Sequence, residues 1–133
     1  MGVVYHANYL IWCEMGRTDL LRQAGASYAQ LERDGVFLAV SEARVRFRGS
    51  ARYDDRVRVR TRLSRLRSRG VSFAYVVENA DSNEVLAEAD IDLICLGERG
   101  VPRKLPLGIH DLLGGALNAG AREGTIDAPS GVS

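Results

Sequence analysis

The sequence predicts an α+β fold in which one buried helix is wrapped by a curved antiparallel sheet. Three observations carry that prediction. Apolar residues recur at spacings of three and four between residues 9 and 20. A two-residue alternation then runs over residues 36–96. Short turn-forming clusters cut that alternation into strands whose brief connections make the last three an antiparallel meander. A helix that is apolar on more than one side needs a partner, and a sheet with one apolar face supplies it.

The helix stripe is Tyr9, Trp12, Cys13, Gly16 and Leu20, with Leu10, Met15 and Leu21 adding apolar surface beyond it. Asn8 suits the N-cap, where its side-chain oxygen can accept from a free first-turn N–H. Cys13 and Gly16 are small enough to let another backbone approach closely, and Gly25 ends the helix in the left-handed position that glycine tolerates. Ser27-Tyr28-Ala29-Gln30 reads as a capping box opening a short helix to Asp34, with Gly35 as its stop.

The alternation assigns Phe37, Ala39, Ser41, Ala43, Val45 and Phe47 to one face of a long first strand. The next strand, Arg56-Val57-Arg58-Val59-Arg60-Thr61-Arg62-Leu63, is arginine on one face and apolar or Thr on the other. Val71, Phe73, Tyr75 and Val77 mark a third strand. Val85, Ala87, Ala89, Ile91, Leu93 and Cys95 mark a fourth. Turn chemistry separates them at Tyr53-Asp54-Asp55, Ser68-Arg69-Gly70 and Asn79-Ala80-Asp81-Ser82-Asn83. Residues 1–107 make one domain. Residues 108–133 hold a weak helix from Ile109 to Leu117 and a Gly/Ala/Ser-rich tail, 119–133, expected to be frayed or disordered.

At 133 residues the chain is long enough to bury a core without staples, and 46% apolar with 26% charged residues is ordinary for a globular domain. The net charge of +1 gives no global field for nucleic acid or an anionic membrane. Cys13 and Cys95 sit in apolar-patterned segments and read as buried, reduced thiols of a cytoplasmic protein. No apolar run is long enough to span a bilayer. Two histidines and two scattered cysteines lack metal-ligand spacing.

Eleven arginines lie between Arg44 and Arg69 against only Asp54 and Asp55, whereas seven acids and no Lys or Arg lie between Glu78 and Glu98. Strands of opposite sign pair across a sheet, which accounts for most of these charges without a nucleic-acid partner.

The N-terminal run Gly2-Val3-Val4-Tyr5-His6-Ala7-Asn8-Tyr9, followed by Glu14-x-x-Arg17-Thr18, resembles the hotdog-fold acyl-CoA thioesterases. Within that family it is similar to the 4-hydroxybenzoyl-CoA thioesterase-like branch that includes the Tol–Pal-associated enzymes. The resemblance continues through Ala51-Arg52-Tyr53-Asp54-Asp55, Gly70-Val71-Ser72-Phe73 and Pro102-Arg103-Lys104-Leu105-Pro106. It implies a hotdog fold whose first strand is missing from the layer, and hydrolysis of acyl-CoA to free acid and CoA. A homodimer or homotetramer is implied, with the site between subunits.

The chemistry suits the residues. Developing oxyanion charge needs a donor, and free N–H groups at a helix N-terminus supply one with the dipole aligned. The resemblance assigns that donor to the backbone amide of His6, the expected catalytic position, with the pantetheine arm threading past Val4 and Tyr5. It also implies an aspartate seven residues before His6, two residues upstream of Met1, so that Met1 is expected to be an internal methionine. Arg67 and Arg69 before Gly70, and Arg103 after the last strand, are expected to grip the CoA phosphates through their guanidinium forks. CoA enters as part of the substrate, and no separate cofactor is expected. The alternative is a non-catalytic hotdog that binds acyl-CoA or acyl-carrier protein. Ser72 with His6 has no orienting acid in the sequence pattern, so a nucleophilic triad is rejected.

Overall fold

The structure, a computed structural model, describes residues 7–52, 55–118 and 123–129. Helix α1 (Ala7–Gln23) leads to a short α2 (Tyr28–Arg33), then to strands β1 (Phe37–Phe47), β2 (Arg56–Arg67), β3 (Gly70–Asn79) and β4 (Val85–Leu96). Helix α3 (Leu107–Asn118) and strand β5 (Glu123–Pro129) follow. The five strands form one antiparallel sheet in the order β1-β4-β3-β2-β5.

The local signals act as expected at most boundaries. Ser27 Oγ accepts from the Gln30 amide at 3.2 Å, closing the N-terminus of α2. Gly25 and Gly35 take φ of 95° and 76°, the left-handed region that ends each helix. In the turn between β3 and β4, Asn79 Oδ1 accepts from the amides of Asp81 and Ser82 at 2.9 and 3.0 Å. Asn8 departs from expectation. The helix already includes Ala7, so Asn8 lies buried in the first turn rather than at the cap.

The core forms between α1 and the inner face of the sheet. Trp12, Cys13, Leu20 and Leu21 of α1 pack with Val57, Val59 and Leu63 of β2, Phe73 and Tyr75 of β3, and Ile91 and Leu93 of β4. Gly16 sets how close the helix comes. A β-carbon there would stand 2.2 Å from Thr61 Oγ1 and 3.2 Å from Val59 Cγ1, so only glycine fits at this spacing. Helix α3 covers the other end of the same face, where Leu113 and Ala116 meet Leu63, Phe73, Leu20 and Leu21.

Two bulges change which residues face inward. Along β1 the register with β4 slips between Val40 and Glu42. Val40 pairs with Leu93 and Leu38 with Cys95, both buried positions, whereas Phe37 and Ala39 pair with Leu96 and Ile94. The expected face Phe37-Ala39-Ser41-Ala43-Val45-Phe47 is therefore split. An extra residue at Ser41 shifts the alternation by one, and every side chain before it changes sides. A second slip, between Leu63 and Arg65, turns Leu66 inward to the core and leaves Arg65 and Arg67 on the outer face with Ser72.

The tail also differs from expectation. Residues 123–129 are not frayed but pair with β2 from Arg56↔Pro129 to Arg62↔Glu123. The buried row Val57, Val59 and Thr61 leaves an unpaired edge beside an apolar face, and β5 closes it with Ile126 packed on the core. Among the described residues this C-terminal segment forms the edge of the sheet beside β2.

Opposite charges pair across the outer face as the sequence asymmetry implies. Arg44 reaches Asp92 at 3.5 Å, Arg46 and Arg48 reach Glu88 at 3.4 and 3.1 Å, and Arg58 reaches Glu78 at 3.3 Å.

Candidate active site

Helix α1 enters the fold over the far end of β1. The Tyr9 ring stands edge-on to Trp12 and Phe47, with centroids 4.9 and 5.1 Å away, and its hydroxyl accepts from the Ala51 amide at 3.4 Å. Burial raises the Tyr9 phenol above its ordinary value, with the Ala51 N–H pulling the other way, so at neutral pH the ring is an uncharged clamp. These contacts hold the first turn of α1 against the end of β1 and the loop at Ala51. The first N–H groups of a helix have no partner inside it, and the positive end of the helix dipole lies there. An acyl oxygen brought to this point would find donors fixed in place. Val4, Tyr5 and His6, the residues expected to act here, lie outside the described residues, and Ala7 is the first position the structure places.

Two turns beyond Tyr9, the helix carries a buried cation. Arg17 is only 8% exposed, and its Nε donates to the Tyr28 hydroxyl at 3.3 Å. Glu14 stays on the exposed side of α1. Burial pushes the neighbouring Cys13 thiol up to about 12, against the opposing pull of Arg17. The signal available in the sequence is spacing: Tyr9, Cys13 and Arg17 are four apart, which puts Arg17 on the buried side of the helix.

The arginines expected at the phosphates do gather. Cys95 N donates to Arg69 O at 2.7 Å, Arg103 N to Cys95 O at 3.0 Å, and Leu105 N to Ser68 O at 2.8 Å. These bonds stitch the turn between β2 and β3 to the segment leaving β4, so Arg67, Arg69 and Arg103 belong to one end of the sheet. A hollow of about 240 Å³ there is lined by Arg67, Ser68, Arg69, Gly70 and Ile94. Arg69 has no carboxylate partner among the described residues, while Arg103 Nε donates to the Lys104 carbonyl at 3.2 Å. Arg67 is more constrained. Its Nη2 donates to Ser72 Oγ at 2.8 Å and stands 3.5 Å from Asp92.

Ser72 in turn donates to Asp92 Oδ1 at 2.6 Å. That bond, followed by Arg44 and Arg67, holds the Asp92 carboxyl below its ordinary value. Sequence reasoning pairs Ser72 only with His6 and so misses this cluster, which lies on the outer face away from the helix. The legible sign is that Ser72 and Asp92 occupy outward positions of neighbouring strands.

Helix start and arginine cluster lie at opposite ends of one sheet. Phe47, Ala87, Val77 and Val59 share one level in the register, and Arg67 is further along β2. From Val59 to Arg67 is roughly 25 Å of extended strand. A single protomer therefore does not bring the two halves of the expected site together.

The family described as the thioesterase superfamily matches residues 1–86. This chain belongs to the thioesterase superfamily. It is 33% identical over 109 residues to the acyl-CoA thioester hydrolase YbgC of Escherichia coli O6:H1, covering 81% of each chain. Among solved structures it resembles the hypothetical protein TT1821 from Thermus thermophilus, with 38% identity, a TM-score of 0.78 and 86% of each chain covered. It also resembles the DHNA-CoA thioesterase of Staphylococcus aureus, with 27% identity and a TM-score of 0.80 over 90% of this chain and 85% of that one.

Proposed function

We propose that this thioesterase-superfamily chain hydrolyses acyl-CoA thioesters to a free acid and coenzyme A, in a site shared by two protomers. The observation that carries the reading is the clamped start of α1, where Tyr9, Phe47 and Ala51 fix a helix N-terminus at the edge of the sheet. The acyl carbonyl oxygen accepts from the amide of His6, water adds to the carbonyl carbon, and the C–S bond breaks with its electron pair leaving on CoA sulfur. The proton that the adding water gives up passes to the liberated thiolate, leaving the free acid and CoA–SH. Val4 and Tyr5 guide the pantetheine arm, and Arg69 and Arg103, with Arg67, hold the nucleotide phosphates. CoA is part of the substrate and no further cofactor is needed. An acyl-carrier protein presents the same pantetheine thioester and is a second candidate acyl donor. Buried thiols and the absence, among the described residues, of a helix able to cross a membrane agree with a cytoplasmic location.

The separation of helix start and arginines supports a homo-oligomer. The edge of β1 has no partner strand among the described residues, and on its inward side Val40 and Phe47 are 51% and 42% exposed. Antiparallel pairing of β1 with its copy about a two-fold axis would invert one sheet against the other. The start of α1 would then lie about three strand spacings, roughly 14 Å, from the partner's β3 and its arginine end. That is nearer than the arginines of its own chain.

Steady-state release of free thiol from a panel of aliphatic and aromatic acyl-CoAs tests the activity. Turnover of at least one class is expected, and binding without turnover across the panel would instead support the non-catalytic reading. Light scattering tests the assembly: a dimer or tetramer is expected, and Val40→Lys should shift it toward monomer with loss of turnover.

A further inference from the structure

The segment that leaves β4 crosses the arginine end of the sheet as a fixed strap. Leu96 bridges Pro102, and Gly97 N donates to Val101 O at 2.8 Å. Between them the strap turns at Arg99 and Gly100, whose φ of 61° and 68° lie in the left-handed region. The bonds of Arg103 to Cys95 and of Leu105 to Ser68 hold it down. Gly97 lets the Arg103 stem lie flat, since a β-carbon there would stand 2.8 Å from Arg103 Cδ. Leu105 plugs into the core, yet the apolar residues on either side of it face water: Val101 is 59% and Leu107 81% exposed. Beside them stand Arg99, Arg103 and Lys104 of the strap and Arg69 of the neighbouring turn, all exposed and without a carboxylate partner among the described residues. Glu98 is the one acid in residues 97–107, and Asp111 lies a turn further along α3.

We propose that this strap is a docking surface for an anionic lipid bilayer. The near-neutral chain as a whole carries no general attraction for such a surface, but cations gathered in one strip do, within about a Debye length of the headgroups. Val101 and Leu107, at most about 20 Å apart along extended chain, then enter the interface, where burying apolar surface is favourable. Neither residue borders the hollows at this end or the cleft along α1. A partner protein's side chain would therefore meet no socket here, whereas a fluid layer needs none. The strap is pinned along its length, so docking costs little ordering of the chain. Val101, Leu107, Arg99 and Lys104 take no part in the nucleotide site, and the inference stands apart from the hydrolytic reading.

The test sediments the full chain with vesicles of phosphatidylcholine, alone or mixed with phosphatidylglycerol. Binding to the mixed vesicles is expected to be about tenfold or more tighter than to the neutral ones, and to weaken as salt is added. The pair Val101→Asp/Leu107→Asp should lower it by a similar factor, Leu107→Phe should retain it, and Arg99→Glu/Lys104→Glu should abolish the preference for phosphatidylglycerol. These side chains are exposed and outside the nucleotide site, so every variant should keep the native thermal transition and native turnover of a short-chain acyl-CoA without vesicles. No binding by the native chain, equal binding to both vesicles, or binding that the aspartate pair leaves intact would overturn the proposal. So would capture by soluble polyglutamate as tight as by the mixed vesicles, which would assign the strap to an acidic protein instead. If the aspartate pair loses its thermal transition, Leu107→Asp decides alone. A native chain that binds the mixed vesicles but turns over no acyl-CoA would sink the hydrolytic reading and leave this one standing.

Discussion

The two faces of the sheet are built on different physics. The inner face holds Trp12, Phe73, Tyr75, Ile91 and their neighbours in a continuous apolar contact with α1, with one cation, Arg17, sunk among phenols. The outer face is a lattice of arginines and carboxylates, and pairs such as Arg46–Glu88 and Arg56–Asp81 stand open to water. Burial of apolar surface scales with area and does not depend on exact partners, whereas exposed ion pairs contribute little each. Stability therefore concentrates on the inner face, which frees the outer face and the sheet ends to carry recognition.

The largest test of that contrast is Trp12→Ala. Trp12 is fully buried, and removing the indole should cost about 3–5 kcal/mol in urea unfolding. A loss near the outer-face scale would break the comparison. Gly16→Ala comes next. The added methyl must displace Thr61, and a net loss of about 1–3 kcal/mol is expected even though alanine is the better helix former. Outer-face changes should be smaller. Asp81→Asn, which keeps the shape and removes the charge facing Arg56, should cost no more than about 1 kcal/mol.

The smallest effect sharpens the comparison through pH. Asp92 is held below its ordinary value mainly by Ser72, with Arg44 and Arg67 assisting. A carboxylate whose folded value is depressed adds stability above its unfolded value, near pH 4, and that stability is lost as pH falls through the folded value. Asp92→Asn should therefore lower stability slightly at neutral pH and flatten the acid limb, so that the two proteins converge as pH falls below about 4.

Much of the fold is legible in the sequence because its rules are local. The stripe from Tyr9 to Leu20, the Ser27 cap and the arginine alternation of β2 each name their element and their buried side. What escapes is set by a single residue or by distant parts of the chain. Nothing in a run of alternating residues marks Ser41 as the extra one, yet it reverses Phe37 and Ala39. The tail has the composition of a frayed end, and only the unpaired edge of β2 gives residues 123–129 a reason to be a strand. The site divides in the same way. That Arg67, Arg69 and Arg103 share one sheet end is readable from turn and strand boundaries. That this end lies far from the start of α1 requires the register.

The most direct measurement compares acyl-CoA with the matching acyl-pantetheine as substrates of the native chain and of Arg69→Ala/Arg103→Ala, with thiol release as the readout. The double substitution should raise KM for acyl-CoA about tenfold or more, since charge-assisted bonds to phosphate are lost, and leave both kcat and acyl-pantetheine kinetics unchanged. Equal losses on both substrates, or unaltered KM for acyl-CoA, would contradict the assignment of nucleotide recognition to that end of the sheet.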